Sequence, residues 1–83
     1  MEQRLGFVGI IIEERLKVAK KVNSVLFDFG EIIIGRIGLP YKEKSCNVIT
    51  LIINANSDQL GALTGQLGKV EGVSVKSALA KKK

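Results

Sequence analysis

Arg36 lies in an apolar stretch between two glycines, where a side chain that can bind an anion stands out. The stretch reads I-I-I-G-R-I-G-L-P-Y and ends at Tyr41. A guanidinium can hold a carboxylate through two parallel hydrogen bonds, and glycines in a strand permit a bend, a bulge or close approach of another backbone. A solvated arginine is the alternative interpretation. The binding hypothesis predicts a site for a small effector at Glu13, Glu14, Gly35, Arg36, Gly38 and Tyr41.

The chain lacks the residues on which most catalytic and metal sites depend. It has no histidine and a single cysteine, Cys46. A transition-metal site therefore has no cluster of ligands, and a serine or cysteine nucleophile has no histidine as its base. Cys46 is expected to be a small hydrophobic residue at the start of a strand. We predict that the protein is not an enzyme and uses no metal or other cofactor.

Gly61 and Gly65 lie four residues apart in a segment with helical periodicity. A glycine inside a helix costs about 1 kcal/mol relative to alanine, so some contact should compensate for it. Two interpretations stay open at this point. The small residues let the helix pack closely on the sheet, or they let a ligand or a partner's backbone approach.

The elements that must position these residues follow from hydrophobic periodicity. Valines spaced as on one helical face predict a first helix that opens at Glu13 and Glu14 and stops at a left-handed Gly30. A second helix begins at Asn56, Ser57 and Asp58, whose side chains can cap it, and ends at Gly68. Short apolar runs rich in β-branched residues predict strands at 4–12, 31–39, 46–55 and 73–79.

The order of these elements is βαββαβ, which predicts an α+β fold of the ferredoxin-like type. Two right-handed crossovers joined by a hairpin give a four-stranded antiparallel sheet of order 4-1-3-2, with both helices on one face. Alternation then assigns side chains to faces. In the second strand, Ile33, Ile37 and Leu39 are expected to face the helices. In the third strand the residues expected to do so are Ile49, Leu51 and Ile53.

The face of the sheet without helices is predicted to be apolar. The same alternation places on it Ile32, Ile34 and Arg36 of the second strand, and Val48, Thr50 and Ile52 of the third. So much apolar surface is unusual on a small monomer. We predict a homodimer or homotetramer formed through the sheet face or its edge, with Ile32, Ile34, Val48 and Ile52 in the interface. In the alternative interpretation, the register is wrong and these residues belong to the ordinary core.

Length and charge limit the remaining hypotheses. The 83 residues predict one domain over residues 1–80 and a basic tail over 81–83. The net charge of +5 supports an alternative function, binding of nucleic acid through the tail and the lysines of the first helix. The stripe of basic and aromatic residues typical of such proteins is missing. A single cysteine and the lack of a long apolar segment predict a cytoplasmic protein without a membrane partner.

Three stretches of the chain resemble the family of small proteins named iron-only hydrogenase system regulators. They are R-L-G-F-V-G-I-I-I-E-E at the start, I-I-I-G-R-I-G-L-P-Y in the middle and L-G-A-L-T-G-Q-L-G-K-V-E-G-V-S-V-K-S-A-L near the end. The resemblance covers nearly the whole chain. Its most specific parts are the patterns G-R-x-G-x-P-Y and L-x-G-x-L-G-x-x-x-G-V-x-V-K.

That family is similar to ACT domains and to the C-terminal sensory domain of nickel-responsive repressors, which are ferredoxin-like and oligomeric. ACT domains bind amino acids or other small effectors at subunit interfaces. The resemblance therefore implies an oligomeric regulatory module that binds a small effector or a protein of the hydrogenase system. The repressors hold nickel through histidines, which this chain lacks. Their DNA-binding ribbon-helix-helix is not expected here, because the chain opens with the first strand.

Overall fold

The computed structural model describes residues 2–81, and the statements below refer to these residues. Lys82 and Lys83 of the predicted tail lie outside them. Four strands and two helices follow one another as β1 (Arg4–Glu13), α1 (Leu16–Asp28), β2 (Ile33–Tyr41), β3 (Cys46–Ala55), α2 (Ser57–Gly68) and β4 (Val73–Leu79). Short 3-10 turns at Gly30–Ile32 and Lys42–Lys44 flank β2.

The strands form one antiparallel sheet in the order β2-β3-β1-β4. This is the predicted order 4-1-3-2 read from the other edge, so the predicted topology is confirmed. Alternate residues of β1 and β3 point into one core together with the buried faces of both helices. Its largest fully buried side chains are Val8, Ile10, Val22, Leu51, Ile53, Leu63 and Leu67.

The second helix begins as its sequence predicts. The Asn56 side chain accepts a hydrogen bond from the Gln59 amide at 2.8 Å, and the Gln59 side chain accepts one from the Asn56 amide at 2.9 Å. This reciprocal capping box satisfies two amide groups that the first helical turn leaves free. The helix ends at Gly68, also as predicted.

The first helix begins later than predicted, at Leu16 rather than at Glu13 and Glu14. Glu13 instead extends β1, where its amide donates to the Gly72 carbonyl at 2.9 Å, and the Glu14 amide donates to the Ser45 carbonyl at 2.9 Å. These bonds tie both residues to neighbouring strand ends. Glu13 still has strand geometry and the backbone of Arg15 is extended, so helical geometry begins only at Leu16. The prediction of a left-handed Gly30 is also wrong, because the chain passes from α1 into a 3-10 turn at this residue.

A β-bulge in β2 changes which of its residues face the helices. Ile33 pairs with Ile53 and Gly35 pairs with Ile52, so two residues of β2 advance against one of β3 and Ile34 is the extra one. A one-residue shift moves every later side chain of the strand to the other face. Arg36 and Gly38 consequently pair with the core residues Leu51 and Ile49, on the helix side.

Four residues assigned to a face of the sheet by alternation lie on the other face or in the core. Ile37 and Leu39, expected toward the helices, pair with the outward-facing Thr50 and Val48 and are 67% and 60% exposed. Arg36 lies on the helix side instead of the outer face. Ile32, expected outside and in the interface, is 6% exposed in the core, because it ends the 3-10 turn before β2 begins. The outward assignments of Ile34, Val48 and Ile52 agree with their exposure or pairing.

Gly61 and Gly65 do not pack against the sheet. Both are exposed, and a Cβ atom built on either would have no neighbouring atom within 4 Å. The interpretation that they let α2 lie close on the sheet is wrong, since the helix contacts the core through Leu63 and Leu67. The approach of a partner at this surface stays a prediction.

Candidate functional site: a cleft at Arg36

The candidate site is a cleft between α1 and the helix side of β2, called the Arg36 cleft below. Its lining includes Ile12, Ala19, Asn23, Arg36, Gly38, Pro40, Asn47 and Ile49, and its volume is about 210 Å³. The cleft exists because neither Ala19 on the helix nor Gly38 on the strand has a side chain long enough to fill the space between them. The bulge at Ile34 places Gly38 and Arg36 on this side.

Arg36 lines the cleft, and its side chain is bonded to the first helix. Its Nη2 atom donates a hydrogen bond of 2.8 Å to Oδ1 of Asn23. A guanidinium carries five donors, and no other described residue accepts from this one. Arg36 is therefore oriented by one bond and keeps donors for an anion.

The cleft combines an apolar floor with a polar rim. Ile12 and Ile49 are almost fully buried at the floor, whereas Asn23, Arg36 and Asn47 supply polar groups around it. Small-molecule sites usually have this composition, with a few polar groups that fix the ligand's orientation. A volume near 210 Å³ is below the range of about 300–1,000 Å³ typical of sites for drug-sized ligands. The geometry suits a small anion with a short apolar part.

The structure brings together only some of the predicted site residues. Arg36 and Gly38 both line the cleft. Gly35 pairs with the outward-facing Ile52 and so lies on the opposite face of the sheet. Tyr41 is at the end of β2, where its hydroxyl is 3.5 Å from a carboxylate oxygen of Glu43. Their roles in binding stay predictions.

The two glutamates follow Ile12, which lines one end of the cleft. Glu13 forms an exposed ion pair with Arg15, with 3.0 Å between Oε1 and Nη2. It stands in one row of the sheet with Cys46 and Tyr41, across β3. Glu14 is fixed through its amide by Ser45. Both glutamates thus flank the β1–α1 turn and are absent from the lining of the Arg36 cleft.

Sequence reasoning missed the residues that complete the cleft. Four residues of its lining are absent from the predicted site: Ala19, Asn23, Pro40 and Asn47. Asn23 precedes Arg36 by 13 positions and contacts it only because α1 folds back over the sheet. In the sequence, these lining residues share only a small or short polar side chain. Such side chains do not by themselves indicate a cleft.

Basic residues cluster at the start of α1. Arg15, Lys17 and Lys21 line a depression of about 90 Å³ together with Glu71, whose charge opposes theirs. The volume would hold little more than a small ion or a few waters. The nucleic-acid hypothesis stays a prediction, since this cluster offers no aromatic residue on which bases could stack.

Residues 2–81 contain no helix long and apolar enough to cross a membrane. Within the same range, no three Cys, Asp or Glu residues lie together as metal ligands would.

A comparison with protein families matches residues 4–77 to the model of the TM1266-like iron-only hydrogenase system regulators. Among solved structures, the uncharacterized protein TM1266 from Thermotoga maritima is 38% identical and superposes with a TM-score of 0.93. The match covers 96% of this chain and 100% of that one. No curated protein matches the chain significantly.

Two more distant structures share the fold. The ACT domain of GTP pyrophosphokinase from Chlorobium tepidum is 23% identical, with a TM-score of 0.77 over 92% of this chain and 99% of that one. The nitrogen regulatory PII-like protein CPII from Thiomonas intermedia is 16% identical, with a TM-score of 0.51 over 95% and 94%. At these identities the similarity establishes the ACT-like, ferredoxin-like fold and nothing about ligands.

Proposed function

Because the chain belongs to the TM1266-like iron-only hydrogenase system regulator family, we propose that it is a regulatory module that binds a small carboxylate effector in the Arg36 cleft. One observation carries this proposal. Asn23 holds Arg36 at 2.8 Å over an apolar-floored cleft and leaves most of its guanidinium donors unused. The family and the fold are those of a regulator, so a binding site is a more natural use of this cleft than catalysis.

The effector class follows from the chemistry of the cleft. Guanidinium groups match carboxylates in geometry as well as in charge. The side chains of Asn23 and Asn47 could accept or donate further bonds to an amino or hydroxyl group. Ile12 and Ile49 would contact a short aliphatic part. These features fit a carboxylate of about amino-acid size, which is also the effector class that the ACT-domain resemblance implies.

A binding experiment tests the site directly. A panel of amino acids and small hydroxy and keto acids would be screened by thermal shift, and the ligands found would be titrated calorimetrically. Charge-assisted hydrogen bonds contribute about 1.5–3 kcal/mol, so Arg36→Ala should weaken the affinity by roughly 10-fold to 100-fold. Arg36 is exposed, so the variant should keep the fold.

Arg4→Ala is the matched control. Arg4 also donates one hydrogen bond of 2.8 Å, to the Ala80 carbonyl, but it lies away from the cleft. Its loss removes the same charge and should leave the affinity unchanged. Equal affinities in the parent and the Arg36→Ala protein for every ligand found would exclude the Arg36 cleft as the effector site.

The module is proposed to act as a homodimer or homotetramer in the cytoplasm. Apolar residues exposed on the sheet support the assembly, and the single cysteine fits a reducing compartment. Effector binding would then alter contacts with a protein of the hydrogenase system. Copurification of such a protein only with or only without the effector would test this step.

A further inference from the structure

The sheet face without helices, called the open face below, is apolar across three adjacent strands. Phe7 and Ile11 of β1, Ile37 and Leu39 of β2, and Val48 and Ile52 of β3 all point to it. Lys76 of the edge strand β4 pairs with Gly9 and adds a positive charge to this face. An antiparallel sheet with one solvated face normally alternates apolar and polar residues, and the open face departs from this rule.

The exposed apolar area approaches what a stable interface requires. Phe7, Ile11, Ile37, Leu39 and Ile52 are each 48–67% exposed. Large apolar side chains have surfaces of about 150–250 Å², so these five expose roughly 500 Å² in total. Val48, Leu5 and the intervening backbone extend the patch toward the ~800 Å² per partner of a standard protein interface.

A depression lies in the middle of the open face, at Gly9. Its neighbours in β1 on this face are Phe7 and Ile11, and its partners across the ladder are Thr50 and Lys76. The cavity there measures about 200 Å³. That is several times the ~30 Å³ share of one water in the liquid, so it can receive one protruding apolar side chain.

Nothing within residues 2–81 explains why residue 9 is a glycine. A Cβ at this position would have only the Lys76 carbonyl near it, at 4.0 Å, and the φ angle is not in the left-handed region. Gly6, three residues earlier and on the opposite face, differs, because its Cβ would collide with the Ala78 carbonyl. Glycine weakens a strand interior and commonly marks the close approach of another backbone or side chain.

We propose that a second copy of this chain packs on the open face and inserts an apolar side chain beside Gly9. The face carries both protruding apolar residues and the depression. Two copies related by a twofold axis can therefore each insert a side chain into the depression of the other. This inference specifies the interface of the assembly named above. It is independent of the Arg36 cleft, which opens on the other side of the sheet.

The test replaces Gly9 with valine. Valine favours strands and has space in the isolated chain, so Gly9→Val should fold normally by circular dichroism. In the assembly, the valine occupies the depression that would receive the partner's side chain. This overpacking should raise the dissociation constant of the assembly by about 100-fold or more. Sedimentation velocity over a range of protein concentrations measures this. Gly30→Val is the matched control, since it makes the same change at an exposed position between α1 and β2, where a Cβ would have no described atom within 4 Å.

A second variant covers the outcome in which Gly9→Val does not fold. Ile37→Lys changes a side chain that is 67% exposed, so the folded chain tolerates it, whereas the open-face assembly would have to bury a lysine. Phe27→Lys, at an 86% exposed position on α1, is its control. The proposal predicts dissociation for Ile37→Lys and none for Phe27→Lys.

The outcomes separate this inference from the wider proposal. A parent protein that stays monomeric at all concentrations overturns the inference and the proposed assembly together. Assemblies that survive both Gly9→Val and Ile37→Lys unchanged place the interface elsewhere and overturn only the inference. Carboxylate binding is measured separately and decides the effector site in either case.

Discussion

Nine glycines occur among the 83 residues, and the structure gives them different physical roles. Gly72 has a φ angle of +89°, and a Cβ there would lie 2.9 Å from the Glu13 carboxylate. Gly61 lies on the exposed side of α2 with no neighbour to exclude a side chain. The first glycine is required by the backbone of the chain, and the second is not. Residue type alone does not separate the two cases.

Alanine substitutions at the two positions should change the free energy of unfolding in opposite directions. Gly72→Ala should lower the free energy of unfolding by about 1–2 kcal/mol, the usual cost of a left-handed conformation in a residue with a Cβ. Gly61→Ala should raise it by about 0.5–1 kcal/mol, because alanine favours the helix and restricts the unfolded chain. Urea unfolding at one fixed protein concentration measures both. Changes of the same sign would contradict the assigned roles.

The two helices are stabilised at their starts in different ways. The first turn of α2 has the capping box of Asn56 and Gln59. The residue before α1, Arg15, has the extended backbone of a helix cap but makes no side-chain capping bond. Helix α1 therefore depends more on the burial of Val18, Val22 and Leu26, and its first turn is the less secured of the two.

Capping substitutions test this difference. Asn56→Ala removes the bond to the Gln59 amide and should destabilise the protein by about 1 kcal/mol. Arg15→Ser supplies a capping oxygen where none exists and should stabilise it by about 0.5–1 kcal/mol. The exposed ion pair to Glu13 that it removes is worth little. Thermal and urea unfolding of both variants would measure these changes in stability. A loss of stability in Arg15→Ser would contradict this account of α1.

At the scale of the whole molecule, the small size of the domain limits how much apolar surface it can bury by itself. A domain this small buries only about 60–65% of the surface that its unfolded chain exposes. Its core is nonetheless closed, since its seven largest fully buried side chains come from both helices and the two central strands. The remaining large apolar residues lie mainly on the open face, where association would bury them. Much of the stability should then depend on the partner copy.

The melting temperature should accordingly depend on protein concentration. Mass action stabilises an assembly that the unfolded chain cannot form, and for a dimer the midpoint should rise by about 3–5 °C for each tenfold increase in concentration. Calorimetry at several concentrations measures this for the parent. Ile37→Lys should melt lower and at a constant temperature. A midpoint independent of concentration in the parent would contradict an assembly coupled to folding.

Much of the fold follows from local sequence patterns. The bounds of β3 and β4 and the start and end of α2 agree with prediction, because runs of β-branched residues and a capping asparagine act within a few residues. The strand order follows from general rules for crossovers and hairpins. The family resemblance is confirmed by the match over residues 4–77. Of the candidate site, the sequence indicated Arg36 and Gly38.

The tertiary structure decided which face of the sheet each residue of β2 occupies. Alternation in the sequence assumes an unbroken ladder, and the extra residue at Ile34 can be recognised only when β2 is paired with β3. That single shift places Arg36 beside Asn23 and turns Ile37 and Leu39 to the open face. Local patterns thus determined the elements and their order. Strand pairing, which depends on residues distant in the chain, determined the cleft and the apolar surface.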